Sequence, residues 1–289
     1  MIPSPVLLQE LARARLRLAG RTSTGGTGER RSRQKGPGME FADYRQYEAG
    51  DDFRYLDPAI YARRGEYHIR QYETYRPAHI TILVDGSTSM LFGEKQKFAF
   101  ASMLASLLAF AGLSGGDLVQ MAIWSGGRLH FSPRVNGVGR ASVLFEWLAR
   151  QHAAGTGFTE GLTQVLRQAT GGLVIALSDW LGQEAYPPQV FSRASGVDVL
   201  AIQVSAREEE EPDFSGQSEI RLRDAESGAE FDFTADRSAL SQYRTLYRAW
   251  QEELRRQLLR AGCRFLAQRS DMDVELAVRS QWRRLGIVE

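Results

Sequence analysis

The sequence has little of what builds disulfide-bonded, zinc-binding or membrane-spanning proteins. One cysteine, Cys263, occurs in 289 residues, so no disulfide can form within the chain and a reducing compartment is expected. The four histidines are scattered singly and match no zinc spacing. The longest apolar run, residues 98–113, is shorter than the roughly 20 residues that cross a bilayer, and arginines interrupt the first apolar residues of the chain. We therefore expect a cytoplasmic protein without a transmembrane segment or a secretory leader.

Neither positive nor negative residues predominate in the sequence. Lys and Arg number 36 and Asp and Glu 35, and the net charge of +1 gives no electrostatic reason to expect nucleic acid as a partner. The basic, glycine-rich residues 20–38 contain TGGTGER, but no strand precedes them and no Gly-Lys-Ser/Thr follows. They therefore lack the pattern of a phosphate-binding loop. A role in nucleic-acid binding would rest on this segment alone, and such charge runs are more often simply solvated.

Short apolar runs alternate with helical segments from residue 80 onward, in a chain with the 43% hydrophobic and 25% charged residues of a globular protein. This alternation predicts an α/β fold with a doubly wound, mostly parallel sheet of about six strands and helices on both faces. A hairpin over residues 117–135 should supply one antiparallel edge strand. Strands are predicted at 80–84, 117–124, 128–135, 173–177 and 198–204, with a last one at 263–268. Helices are predicted at 98–113, 139–151, 183–195, 237–261 and 274–285, and a further helix follows the glycine-rich loop at 155–160 and ends at about 169.

Three parts are predicted along the chain. Residues 1–38 form an amphipathic helix, over 6–19, and a flexible basic segment. Residues 39–76 form an ordered preface that crowds aromatic residues with charges of both signs. Residues 77–289 form the α/β domain, with a hairpin insertion at about 207–235 and a solvated acidic loop at 208–211 within it. In the preface, acidic residues are expected to pair with arginines rather than to form a site; these are Asp51, Asp52 and Asp57, with Arg45, Arg54, Arg63 and Arg64.

The central feature is the apolar run at residues 80–84, which ends abruptly in Asp85-Gly86-Ser87-Thr88-Ser89 ahead of the helix at 98–113. Asp85, Ser87 and Ser89 alternate, so one carboxylate and two hydroxyls can converge on one point. This set of oxygen donors suits a hard cation such as Mg²⁺. The alternative is that these side chains only cap the turn and the helix after it. On these residues alone, both interpretations remain open.

Two further loops at predicted strand ends carry the same chemistry. Thr159 follows the glycine-rich residues 155–157, and Asp179 follows the strand at 173–177. The carboxyl ends of parallel strands lie at one edge of a sheet, so all three loops can meet there. We expect a cage of neutral hydroxyls, with carboxylates reached partly through water. Such a cage would hold Mg²⁺, Mn²⁺ or Ca²⁺ weakly and leave one position for a carboxylate of a partner.

The pattern resembles the metal-ion-dependent adhesion site of von Willebrand factor A domains. The Asp-x-Ser-x-Ser motif of that site is matched in full by Asp85, Ser87 and Ser89. Its threonine is matched best by Thr159 and less well by Thr156, and its later aspartate by Asp179. The resemblance implies a von Willebrand factor A-like fold, in which these residues are metal ligands.

A second resemblance extends over residues 36–266. The preface, GPGMEFADYRQYEAGDDFRYLDPAIYARR, resembles the signature of a MoxR-associated family called domain of unknown function 58, and LRDAESGAEF resembles the hairpin insertion of that family. Two positions depart from the pattern. Pro58 stands where the family usually has tryptophan, and Glu160 follows the threonine where Asp or Asn is commoner.

These resemblances imply a non-catalytic, metal-dependent protein-binding module. It would act as an adaptor or co-chaperone, with a MoxR-type AAA+ ATPase and an unknown client protein as its partners. The alternative is a metal-dependent phosphohydrolase with Asp85 as nucleophile. Phosphatases of that kind need a second carboxylate two residues later, where Ser87 stands, and no histidine or lysine general acid lies predictably beside Asp85. We therefore expect a binding module and not an enzyme.

Overall fold

The computed structural model describes residues 4–12, 16, 39–74, 77–181, 191, 196–214, 219–225, 228–234, 236–276, 278 and 282. The chain divides into two compact units, one made of Met1–Thr24 with Ala78–Glu289 and the other of Gly25–Pro77. We call them the α/β unit and the preface unit. The strands are β1 (Met39–Gln46), β2 (His68–Thr74), β3 (His79–Asp85), β4 (Leu118–Ser125), β5 (Arg128–Phe131), β6 (Val135–Asn136), β7 (Gly172–Ser178), β8 (Val197–Ser205), β9 (Glu219–Arg223), β10 (Glu230–Thr234) and β11 (Arg264–Arg269). The helices are α1 (Pro5–Leu11), α2 (Pro58–Arg64), α3 (Lys97–Ser114), α4 (Ala141–Ala149), α5 (Phe158–Gln168), α6 (Arg207–Glu210), α7 (Arg237–Arg260) and α8 (Val274–Leu276).

A seven-stranded sheet forms the centre of the α/β unit. Its order is β11-β8-β7-β3-β4-β5, with β6 also beside β4. All strand pairs from β11 to β4 are parallel, and β5 and β6 are antiparallel to β4. The predicted hairpin is therefore confirmed, although its returning strand is split into β5 and β6. The β9–β10 hairpin, predicted as an insertion, forms a two-stranded sheet of its own.

Helices cover both faces of this sheet, as the alternation of strands and helices predicts. On one face, Ile80, Ile82 and Val84 of β3 pack with α3 and α4 in a large buried cluster that also takes in Leu7 and Leu11 of α1. On the other face, Leu83 and Trp124 pack with α5 and α7. Strands buried on both faces have near-continuous apolar sequences, which explains why these strands do not alternate.

Helix α3 is apolar around its whole circumference because it lies inside the protein. By length and composition it is the single helix among the described residues that is able to cross a membrane, yet 72% of that stretch is buried in the core. It packs in one buried cluster with residues of β3, β4, α1 and α4. A helix that is hydrophobic all round is typical of such a buried position.

The preface unit is held by β1 and β2, which pair antiparallel. The predicted ion pairs form between Arg45 and Asp51, 2.8 Å apart, and between Arg54 and Asp52. Asp57 instead pairs with Arg70, at 2.9 Å, and its carboxylate also accepts hydrogen bonds from the Ala59 and Ile60 amides as the N-cap of α2. The sequence did not single out Arg70, which comes after α2 on β2.

One predicted segment is wrong, and others fall partly outside the described residues. The predicted acidic loop at 208–211 is instead the short helix α6, and Glu209 within it is buried. Of the predicted helix at 6–19, Pro5–Leu11 is helical and residues 13–15 and 17–19 are not described. The basic segment at 20–38 lies outside the described residues, as does the helix predicted at 183–195 apart from Phe191. The last predicted helix begins at Val274, and most of its remainder is also outside them.

The packing of α5 on β4 gives a first prediction. A Cβ on Gly161 would lie 2.7–2.8 Å from the Cβ and ring atoms of Trp124, a buried side chain whose Nε1 donates to the Thr156 carbonyl. Although alanine is a better helix former than glycine, the clash should dominate, and we expect Gly161→Ala to destabilise the protein by about 1–3 kcal/mol. Thermal and urea unfolding measure the effect. A Cβ on Gly139 meets nothing within 4 Å, so Gly139→Ala is the matched control and should remain close to wild type. An unchanged Gly161→Ala protein would contradict this packing.

Candidate metal-binding site

The site lies where the central strands β3 and β7 end side by side. Asp85 is the last residue of β3 and Ser178 the last of β7, and these strands are parallel neighbours. The Ser178 hydroxyl donates to Asp85 Oδ2 at 2.5 Å and accepts a hydrogen bond of 3.0 Å from the Trp180 amide. Asp85 is only 2% exposed, so its carboxylate is held in place by the ends of two core strands.

The loop after Asp85 brings the two predicted serines together. The Ser87 amide donates to Asp85 Oδ1 at 2.8 Å, and the Ser87 and Ser89 hydroxyls are hydrogen-bonded at 2.9 Å. Both serines are buried. The capping interpretation accounts for one oxygen of Asp85, which accepts from the Ser87 amide. The Ser87 hydroxyl, however, does not cap the short 3₁₀ turn Thr88–Leu91, and the residue at the cap position of α3 is Gln96 and not a serine. The hydroxyls are thus free of the capping role and remain paired with each other.

The glycine-rich loop before α5 is tied to this site through its backbone. The Ala154 amide donates to the Gly86 carbonyl at 2.7 Å, and the Thr88 amide donates to the Gly155 carbonyl at 2.8 Å. Thr159 lies in the first turn of α5 and is half-buried. Its carbonyl accepts from the Thr163 hydroxyl, and within the described ranges no hydrogen bond joins its own hydroxyl to Asp85, Ser87 or Ser89. Its loop is therefore brought to the site, whereas its hydroxyl is not linked to it.

Asp179 is engaged by a side chain that the sequence analysis missed. Lys97, the first residue of α3, is fully buried, and its Nζ donates to Asp179 Oδ2 at 2.7 Å and also to Glu209 Oε1. Asp179 Oδ1 accepts a hydrogen bond from the Leu181 amide at 3.1 Å. The sequence did contain a signal for Lys97, namely its position at the start of a long uncharged helix. The helix dipole disfavours a cation there unless carboxylates compensate it. For Glu209, nothing in the sequence distinguishes it from the glutamates on either side.

Burial and mutual repulsion dominate the electrostatics. Burial, together with the charge of Asp179, raises the pKa of Asp85 to about 7, against the opposing hydrogen bonds from Ser178 and Ser87. Burial also raises the pKa of Glu209, although the Lys97 ammonium acts in the other direction. Burial by itself would lower the pKa of Lys97, but the charges of Asp179 and Glu209 hold it above its ordinary value. Three buried carboxylates thus lie near one ammonium, which contacts Asp179 and Glu209 but not Asp85, and two negative charges remain uncompensated when all three are ionised.

These residues fit a divalent cation in donor chemistry and in charge. Carboxylate and hydroxyl oxygens are the ligands of Mg²⁺ and Ca²⁺, and two positive charges would balance the excess. Over the part of the chain that is described, no group of three or more His, Cys, Asp or Glu side chains is placed to hold a metal ion. The predicted site is of a different kind, since its core is Asp85 with the hydroxyls of Ser87 and Ser89.

Comparison with known proteins places the chain in a family. Residues 43–253, which contain every site residue named above, match the family model described as protein of unknown function DUF58. The chain belongs to the DUF58 family. The uncharacterized proteins Rv1480 of Mycobacterium tuberculosis (strain ATCC 25618 / H37Rv) and Mb1516 of Mycobacterium bovis are each 29% identical to it over 248 residues, which is 82% of this chain and 77% of theirs. The DUF58 part of the resemblance inferred from the preface is therefore confirmed.

This DUF58 protein is similar, at low identity, to several solved structures, among them the following two. The conserved hypothetical protein BatB from Bacteroides thetaiotaomicron superposes with a TM-score of 0.45 at 16% identity, covering 72% of this chain and 98% of BatB. The pilus adhesin SpaC from Lactobacillus rhamnosus GG, in its open conformation, gives a TM-score of 0.44 at 13% identity, covering 75% of this chain and 31% of the adhesin.

The raised pKa of Asp85 predicts a dependence of stability on pH. Folding favours the protonated carboxyl, so the stabilisation is fully present below the ordinary pKa of 3.8 and is lost as the pH rises to about 7. In EDTA, the free energy of unfolding of wild type should therefore fall across this range relative to that of Asp85→Asn, whose curve should be flatter. Urea unfolding at a series of pH values measures the difference.

The control for this experiment is Asp232→Asn, since the Asp232 side chain is 82% exposed on the β9–β10 hairpin. This variant should keep the pH dependence of wild type. If Asp85→Asn also kept it, the Asp85 carboxyl would not be the titrating group.

Proposed function

We propose that this DUF58 protein is a non-catalytic, metal-dependent protein-binding module with a von Willebrand factor A-like fold. One observation carries the proposal. The Asp85 carboxylate is buried at the carboxyl edge of the sheet beside two hydroxyls that are bonded to each other. Among the described residues, no lysine or arginine pairs with Asp85. A buried carboxylate without a cation is costly, and a bound cation would relieve that cost.

Asp85, Ser87 and Ser89 would hold the ion, which we propose to be Mg²⁺ or else Mn²⁺ or Ca²⁺. Thr159 and Asp179 would complete the ligand set, directly or through water. When bound, the ion supplies an electrophilic centre to which a carboxylate of a partner protein can bind. The neutral hydroxyls and the pairing of Asp179 with Lys97 both argue for weak affinity, because Mg²⁺ loses its waters reluctantly.

The proposed partners are a MoxR-type AAA+ ATPase and a client protein, with this chain as adaptor or co-chaperone in the cytoplasm. The support is the resemblance of the preface and of the hairpin to the MoxR-associated signature. This sequence has no phosphate-binding loop pattern, so ATP hydrolysis would belong to the partner.

The phosphohydrolase alternative is less well supported by the contacts around Asp85. A second carboxylate two residues later would be needed, and Ser87 occupies that position with its hydroxyl bonded to Ser89. Lys97 is enclosed between Asp179 and Glu209, with no exposed surface from which to protonate a leaving group. These contacts favour binding over hydrolysis.

The metal assignment predicts a serine-dependent binding isotherm. Titration calorimetry with millimolar Mg²⁺ or Mn²⁺ should detect binding to wild type and little binding to the Ser87→Ala, Ser89→Ala double variant, because two of the three central donors are removed. Ser125→Ala is the control, since the Ser125 hydroxyl, at the end of β4, donates to the His152 carbonyl instead. Equal binding by wild type and the double variant would refute the ligand set.

The adaptor role predicts that partner binding depends on the same carboxylate. With a purified MoxR-type ATPase from the same organism, Asp85→Ala should weaken the complex at least tenfold in Mg²⁺, since a charge-assisted contact at a hot spot contributes ~2 kcal/mol or more. Fluorescence anisotropy measures the affinity. Wild type should lose a similar factor in EDTA. If wild type binds the ATPase equally well in Mg²⁺ and in EDTA, the metal does not bridge the complex. The preface aromatics Tyr44, Tyr47, Phe53 and Tyr55 then become the better candidates.

A further inference from the structure

Lys97 is a buried cation beside the proposed metal site, and the role inferred for it here rests on that site. The side chain has no exposed surface, and its ammonium contacts Asp179 and Glu209 and lies 5.9 Å from the centroid of the Phe92 ring. A lysine at the first position of a helix is opposed by the helix dipole, and burial adds a desolvation cost. The contacts with the two carboxylates offset these costs.

Glu209 is itself firmly positioned, so the position of Lys97 is fixed from two sides. Its second oxygen, Oε2, accepts a hydrogen bond of 2.8 Å from the Ala206 amide at the start of α6. The Glu209 carbonyl accepts a hydrogen bond of 2.8 Å from the Tyr243 hydroxyl on α7. Next to it, the Glu208 carboxylate accepts from the Glu94 amide in the loop that leads to α3. The ammonium is thus shared between a carboxylate of the site, Asp179, and a carboxylate anchored outside it.

This sharing determines the charge that a divalent ion would meet. The carboxylates of Asp85, Asp179 and Glu209 carry three negative charges when ionised, and Lys97 removes one. Without the lysine charge the cluster would carry three uncompensated negative charges, and without the Glu209 charge it would carry one. Because the groups are buried, these charges are only weakly screened by solvent.

We infer that Lys97 is a resident counter-cation that competes with the divalent ion for Asp179 and so keeps the affinity of the site for metal low. Glu209 limits this competition because it also pairs with the Lys97 ammonium and offsets part of its charge. Lys97 is therefore a residue that sets the strength of metal binding, although it is not a metal ligand. It also stabilises the metal-free fold, since it compensates Asp179 when no ion is bound.

Two substitutions with opposite expected effects test the inference in the full-length chain. Lys97→Met keeps most of the length of the side chain and removes its charge, so Mg²⁺ should bind at least tenfold more tightly than to wild type. Glu209→Gln keeps the shape and removes the negative charge, so Mg²⁺ should bind at least threefold more weakly. A purely structural role for the Lys97 cluster predicts weaker binding in both variants, because Asp179 would lose its support in each. Glu211→Gln is the control, since it removes the same charge from an exposed position in the same acidic run.

The readouts are titration calorimetry with Mg²⁺ and the melting temperature in EDTA and in 10 mM Mg²⁺. We expect Lys97→Met to melt below wild type in EDTA and to gain more from Mg²⁺ than wild type does. If Lys97→Met folds in neither buffer, Lys97→Gln replaces it, since it removes the same charge but keeps a polar end, and it should also bind Mg²⁺ more tightly than wild type. Binding that is no tighter in a folded Lys97→Met protein, or no weaker in Glu209→Gln, would overturn the inference while the metal site itself stood. Failure of wild type to bind any divalent ion would overturn both.

Discussion

A carboxylate buried at the end of a central strand must be compensated, and the α/β unit is arranged around this requirement at three positions. The Asp85 carboxylate accepts hydrogen bonds from the Ser178 hydroxyl and the Ser87 amide. The carboxylates of Asp179 and Glu209 both accept from the Lys97 ammonium. These groups come from the ends of β3 and β7, the start of α3 and the segment after β8. The parallel sheet brings all four to one edge, so its topology and the charges of the site depend on each other.

The core next to this edge fixes the loops that carry the charges. Trp180, directly after Asp179, has a positive φ of 61°, a strained conformation for a bulky residue. It is held there by burial, by a hydrogen bond of 3.1 Å from its indole to the Ile202 carbonyl and by an edge-on contact with Phe158 at the start of α5. The same contact links the Asp179 loop to the helix that carries Thr159. Apolar packing therefore fixes the loop that carries Asp179, in addition to the polar contacts of its carboxylate.

The order of strands and helices, and the loop of Asp85, Ser87 and Ser89, were predictable because they follow from local patterns. Apolar runs of strand length, an uncharged run of helical length and alternating oxygen donors are all visible within a few residues of sequence. The partner of Asp179 was not predictable in the same way. Lys97 lies 82 positions from Asp179 and 112 from Glu209, and composition does not tell which of four consecutive glutamates turns inward. The interpretation of 208–211 as a solvated loop failed for that reason. Arg70 was missed as the partner of Asp57 because the segment before α2 lies beside β2, where Leu56 bridges to Ile69, and this contact is not visible in the local sequence.

The account rests on a cation at Asp85, Ser87 and Ser89, and anomalous scattering tests it most directly. Crystals of the wild-type protein soaked in 10 mM Mn²⁺ should show an anomalous difference peak about 2.0–2.3 Å from the Ser87 and Ser89 hydroxyl oxygens, at or just above the distances of Mg²⁺ and below those of Ca²⁺ in oxygen sites. The peak should be absent from crystals of Asp85→Ala soaked in the same way. Wild-type crystals without a peak between these side chains, or with a peak that persists in Asp85→Ala, would contradict the account.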